Sequence, residues 1–199
     1  MSSDPSYADF AGPYSAALPA TAGEPGTSAD FNGHTIKFRF KPVDPAGDNS
    51  RLEVDFGRAN ATDRNNYMVL EATAGGIRIA VNEPLLDGNW TNNAFAAFTG
   101  NVTLADGVSL GDWHDIELHL TYADGPDNDV IEVYLDGVHI GTTTTFENYR
   151  DVVGGTHEDN AEANQTSRIF FRPSAGTAPV DGPGGENEGF LFDDLQMSV

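Results

Sequence analysis

Beyond its first thirty residues the chain holds several runs that alternate apolar and polar side chains one for one. Ile36, Phe38 and Phe40 interleave with Lys37, Arg39 and Lys41, and Leu52, Val54 and Phe56 with Arg51, Glu53 and Asp55. Ile116, Leu118, Leu120 and Tyr122 interleave with Glu117, His119 and Thr121, and Ile131, Val133 and Leu135 with Glu132 and Tyr134. A period of two belongs to strands with one face buried and the other in water. Turn residues separate the runs: Gly75-Gly76 leads into Ile77–Val81, and Asp136-Gly137 into Val138–Gly141, both short-range hairpin signals. No segment carries a helical period beyond two turns, which leaves no crossover helices for a parallel sheet. The expected fold is all-β, an antiparallel sandwich or jelly roll.

The length, 199 residues, suits one such domain. Residues 1–30, rich in Ala, Pro, Gly and Ser, are expected to form an N-terminal arm or edge segment, and residues 31–199 the single β-sandwich. Asp and Glu number 31 against 10 Lys and Arg, a formal charge of -21. Such a surface repels nucleic acid and anionic membranes, and no apolar run approaches a membrane span. Cysteine is absent, which excludes disulfides, thiolate metal sites and cysteine nucleophiles.

Three stretches resemble the concanavalin A-like superfamily of lectin and laminin-G-like jelly rolls. They are Gly111-Asp112-Trp113-His114-Asp115-Ile116-Glu117-Leu118, the strand and hairpin Ile131-Glu132-Val133-Tyr134-Leu135-Asp136-Gly137, and the closing run Gly189 to Val199. The resemblance implies two bent antiparallel sheets, a glycan partner on the concave one and, in many members, calcium. It also implies a module of a larger extracellular or cell-surface bacterial protein. Lectins, carbohydrate-binding modules, hydrolases and lyases share this fold, so fold alone does not choose among them.

A retaining hydrolase of this superfamily is expected to carry two Glu flanking an Asp on one strand, because its chemistry needs two nearby carboxyls. Glu53-Val54-Asp55 lacks the third acid, and its plainer reading is a solvated strand face. A lyase-like site would combine a His, a Tyr and an Arg or Gln. His119, Tyr134, Arg78 and Gln165 are the right types but stand in no family motif. The basic run Lys37, Arg39, Lys41 reads as a ladder facing acidic cross-strand neighbours such as Glu53 and Asp55.

Neutral sugars are held by aromatic faces and directional polar groups. The candidates are Trp90 and Asn92 in a polar loop, with Tyr67 and Tyr134 on strands; Trp113, next to a strongly alternating run, is expected in the core. Calcium needs six to eight oxygens, several of them carboxylates. Asp124, Asp127 and Asp129 in one turn, with Asp193 in the closing strand, are the candidate ligands. The composite reading is a non-catalytic, lectin-like carbohydrate-binding module with Ca2+ as candidate cofactor. A structural or adhesion module and a diverged hydrolase or lyase are the alternatives.

Overall fold

The computed structural model describes residues 33–47, 50–57, 64–84, 98–123, 128–145, 168–173 and 189–198. They form ten strands and, among the described residues, no helix: β1 (His34–Pro42), β2 (Arg51–Gly57), β3 (Arg64–Thr73), β4 (Gly76–Pro84), β5 (Phe98–Val108), β6 (His114–Thr121), β7 (Val130–Leu135), β8 (Val138–Thr143), β9 (Arg168–Pro173) and β10 (Phe190–Ser198). Two five-stranded sheets result: a front sheet in the order β5-β4-β3-β2-β9 and a back sheet in the order β10-β1-β6-β7-β8. Every described pairing is antiparallel. The chain is an all-β sandwich of jelly-roll type. The expected arm, residues 1–30, lies outside the described residues.

The alternation supplies the core. Ile36, Phe38 and Phe40 from β1, Ile116, Leu118 and Leu120 from β6, and Ile131 and Val133 from β7 face Leu52, Val54 and Phe56, Met68 and Leu70, and Ile77, Ile79 and Val81 from the front sheet. Each side chain of this size removed from water is worth about 1.5–3 kcal/mol. One polar tie crosses the interior. Asn66 is fully buried; its amide donates to the Thr144 carbonyl at 2.5 Å and to Thr143 Oγ1 at 3.3 Å. Its Oδ1 accepts from the Tyr67 N–H at 2.6 Å. The end of β8 is thereby fastened to β3 in the opposite sheet.

Two details of pairing differ from the sequence reading. The basic run of β1 does not face Glu53 and Asp55, because β1 and β2 lie in different sheets. Its partners come from β6 and β10: Lys37 meets Glu117 at 2.8 Å, and Arg39 meets Asp115 at 3.3 Å and Asp194 at 3.7 Å. In β10, Lys37 pairs with Gln196 but Arg39 with Asp193, so Phe38 opposes two residues. Asp194 sits there with φ of 51°. This is a bulge, and it reverses the strand's parity. Phe190, Phe192 and Met197 pack inward, while Leu191 and Leu195 are exposed. From sequence, the parity of Leu195, Met197 and Val199 is expected on the core face over the later half of this run; Met197 packs inward, Leu195 is exposed, and Val199 lies outside the described residues.

Candidate functional site

The outer face of the front sheet carries a row of polar side chains fixed by register. Asp55 on β2 pairs with Tyr67 on β3, and Asn82 on β4 pairs with Asn101 on β5. Asn82 Nδ2 lies 3.0 Å from the Tyr67 hydroxyl, joining the two halves of the row. Asn82 is 1% exposed, and its Oδ1 has no hydrogen-bond partner. Turning the amide over would put Oδ1 on the phenol and orphan the nitrogen instead, so either orientation leaves one buried polar end unmatched. Asn101 Oδ1 is buried and unpartnered as well. Buried polar atoms are nearly always satisfied in folded proteins, and leaving one unmatched costs about 1–3 kcal/mol. Two neighbouring amide oxygens on one face are thus left without donors.

Glu53 and Asp55, expected on a solvated face, are 6% and 0% exposed. They share that face with Val69 and Ala80, both fully buried, so this stretch of the face is buried rather than wet, while Tyr67 and Asn101 are partly exposed. One strand length along, Arg78 bonds Glu71 through Nε, at 2.7 Å, and through Nη2, both to Oε2. Its Nη1 reaches Thr103 Oγ1 at 3.4 Å. That ion pair fixes the rim of the row.

The outer face of the back sheet is a different surface. The His119 and Tyr134 ring centroids lie 4.8 Å apart, and those of Tyr134 and His139 5.2 Å apart. His119 Nε2 is 2.6 Å from Glu117 Oε1, and its Nδ1 is 3.9 Å from Glu132. The His119 hydrogen bond first, and Lys37 second, hold the Glu117 carboxyl below its ordinary range. Trp113, expected in the core, is 36% exposed and has the Arg39 guanidinium 5.4 Å from its ring centre. Its position in the alternation is the reason: Trp113 shares the outward parity of Asp115, Glu117 and His119.

Among the sugar-binding candidates, Tyr67 is half-buried in the front row and Tyr134 belongs to the back face. They stand on opposite outer surfaces of the sandwich, where one small ligand does not touch both. Trp90 and Asn92 lie outside the described residues. The sandwich brings His119 and Tyr134 together but separates them from Arg78, which is on the other sheet; Gln165 lies outside the described residues. Asn82, Asn101 and His139 are not among the sugar contacts expected from sequence. Their signal is register: a polar residue at an outward strand position is ordinary until its cross-strand neighbour is known.

The calcium candidates do not converge where they are described. Asp129 is buried, with Oδ1 accepting from the Ala123 N–H at 3.0 Å and Oδ2 from the Thr145 hydroxyl at 2.5 Å. Burial pushes its carboxyl above the ordinary range, against the pull of those two bonds. Asp193 is exposed on β10, beside Arg39. Asp129 adjoins the Thr121 end of β6 and Asp193 the Asp115 end, about 20 Å apart along the strand direction. Asp124 and Asp127 lie outside the described residues. Among the described residues no group of three or more His, Asp or Glu is placed to hold a metal ion.

No protein-family model matches the chain, and no curated protein matches it in sequence. Solved structures do. The alginate lyase Aly36B superposes on 84% of this chain and 70% of its own length, at 9% identity and a TM-score of 0.51. A variant of human galectin-16 covers 84% and 88%, at 12% identity and 0.47. A sialidase covers 84% of this chain at 16% identity and 0.46, the chain spanning 13% of its length. What the chain shares with Aly36B is the jelly-roll fold. At such identities the likeness is one of fold. The jelly roll supplies two outward sheet faces, and the residues on them must carry any argument about function.

Proposed function

We propose that this chain is a non-catalytic carbohydrate-binding module of an extracellular protein, and that it takes a neutral glycan at the Tyr67–Asn101 end of the front sheet's outer face, where both side chains are partly exposed. The observation that carries this reading is the pair of buried, unmatched amide oxygens of Asn82 and Asn101 beside the Tyr67 hydroxyl. Amide oxygens want donors, and a sugar presents hydroxyl groups that both donate and accept. Asp55, Glu53 and Glu71 on the same face oppose a carboxylated or sulfated sugar, as does the overall charge of -21.

The test is a glycan array followed by calorimetry on the best neutral hit. Asn82→Ala and Asn101→Ala should each weaken binding at least about tenfold, which corresponds to about 1.4 kcal/mol, while the thermal midpoint holds or rises. Unchanged affinity in both variants refutes the assignment. Reducing ends appearing during incubation with the hit would refute the non-catalytic half of it.

A further inference from the structure

We propose that the outer face of the back sheet is a second, separate binding surface, whose ligand is an extended, uncharged polysaccharide chain. Three consecutive strands each raise a ring onto this face: His119 on β6, Tyr134 on β7 and His139 on β8, at centroid spacings of 4.8 and 5.2 Å. These rings add nothing to the core, whose inward positions on β6 and β7 are filled by Leu118, Leu120, Ile131 and Val133. Their polar neighbours are already oriented. Glu117 holds His119 at 2.6 Å, and His139 Nε2 lies 3.2 Å from Thr142 Oγ1. A ring row with fixed acceptors beside it is the arrangement that grips sugar rings by their C–H faces and hydroxyls.

The row does not end at Glu117. A groove of about 290 Å³ continues along β1 and β6, lined by Lys37, Arg39, Asp115, Glu117, Asp194 and Gln196. Exposed Trp113 stands at the same end of β6, against Arg39. From Trp113 to His119 the strand runs about 20 Å. That length suits several linked sugar residues and exceeds a single one. Charge selects among polymers. Lys37 and Arg39 are each tied to carboxylates of this face, and Asp115, Glu117, Glu132 and Asp194 outnumber them. A polyuronate or sulfated chain meets net repulsion here, and a neutral chain does not. The two sheet faces point away from each other, so both sites can be filled at once and one module can bridge two chains.

The experiment is affinity electrophoresis of the full chain in gels containing a soluble β-glucan, a galactomannan, a soluble starch or, as the anionic comparison, polygalacturonate. In the neutral polymer that retards the wild type most, Tyr134→Ala and Trp113→Ala should each weaken retardation at least about fivefold. Asn82→Ala should leave that component in place, and the Asn82→Ala, Tyr134→Ala double variant should abolish retardation. His139→Ala, an exposed position, substitutes for either ring variant whose melt shows unfolding. Ring variants that migrate like the wild type overturn the second site and leave the first untouched. Complete loss in Asn82→Ala alone also overturns it. Retardation by polygalacturonate but by no neutral polymer overturns the ligand class, and retardation by none overturns both sites.

Discussion

Asp129 separates two accounts of the acidic turns, and Asp129→Asn distinguishes them. In the structure the carboxylate closes the segment between β6 and β7 by accepting from the Ala123 N–H and the Thr145 hydroxyl. An amide keeps one acceptor and turns an N–H₂ toward the other donor, so one bond to a charged group is lost, worth about 1.5–3 kcal/mol. The neutral amide escapes the desolvation that burdens the buried carboxylate, so the net loss should be about 1–2 kcal/mol. For a domain of this size that lowers Tm by about 2–8 °C. The assay is a thermal melt of both proteins in chelator and in calcium. A structural role gives the same loss in both; a loss confined to calcium, or none in either, refutes it. The pH dependence has a definite sign. The folded carboxyl titrates above its ordinary 3.8, so the folded state holds the proton more tightly, and wild-type stability declines as pH rises through that window. The variant lacks this decline. The gap between the two should be widest in acid and narrow toward neutrality.

Four further outcomes are expected. Phe38→Ala removes a fully buried ring lying 5.8–6.3 Å from Phe40, Phe171 and Phe192, and should cost about 3–5 kcal/mol in urea unfolding. Asn66→Leu keeps the branched shape but removes the bonds to the Tyr67 N–H and the Thr144 carbonyl, for about 2–4 kcal/mol; chemical denaturation reads it directly. Gly137→Ala forces a side chain into φ of 78° at the β7–β8 turn, a loss of about 1 kcal/mol by the same method. Glu117 titrates below its ordinary 4.5 when folded, so it stabilises the fold above that pH and stops doing so as pH falls through the folded value. Unfolding curves of Glu117→Gln should lack this acid-side loss.

The strand faces were legible because period-two alternation reports local burial. β1, β6 and β7 follow it residue by residue. Pairing was less legible, because it is a long-range choice. The natural acidic partners for Lys37 and Arg39 are Glu53 and Asp55 when neighbouring strands are assumed to form a hairpin. The chain instead crosses to the other sheet after β1, and Glu117, Asp115 and Asp194 take those places. Trp113 was misplaced for a related reason: it stands outside the regular run, yet keeps the outward parity of that run. Parity failed within β10, where one extra residue at Asp194 exchanges the faces. Tyr67 was a visible site candidate as an aromatic on a strand. Asn82 and Asn101 were not, since an unmatched amide is a property of register and burial together.

Salt offers a separate check on the chemistry of both faces. With a charge of -21, the chain attracts any basic partner, and such an attraction fades as ions screen it, over about 10 Å at moderate salt. Hydrogen bonds from sugar hydroxyls to Asn82 and Asn101, and ring contacts at Tyr134, act at contact distance and release no ion atmosphere. Retardation in a neutral polymer should therefore be the same at low and high salt, in the wild type and in each single-face variant. The ion pairs of the back face are exposed and weaken with salt, but the uncharged ligand gains nothing from them. A steep fall of retardation with salt would mean that charge drives the association, and the neutral-glycan assignment would fail for whichever face still bound.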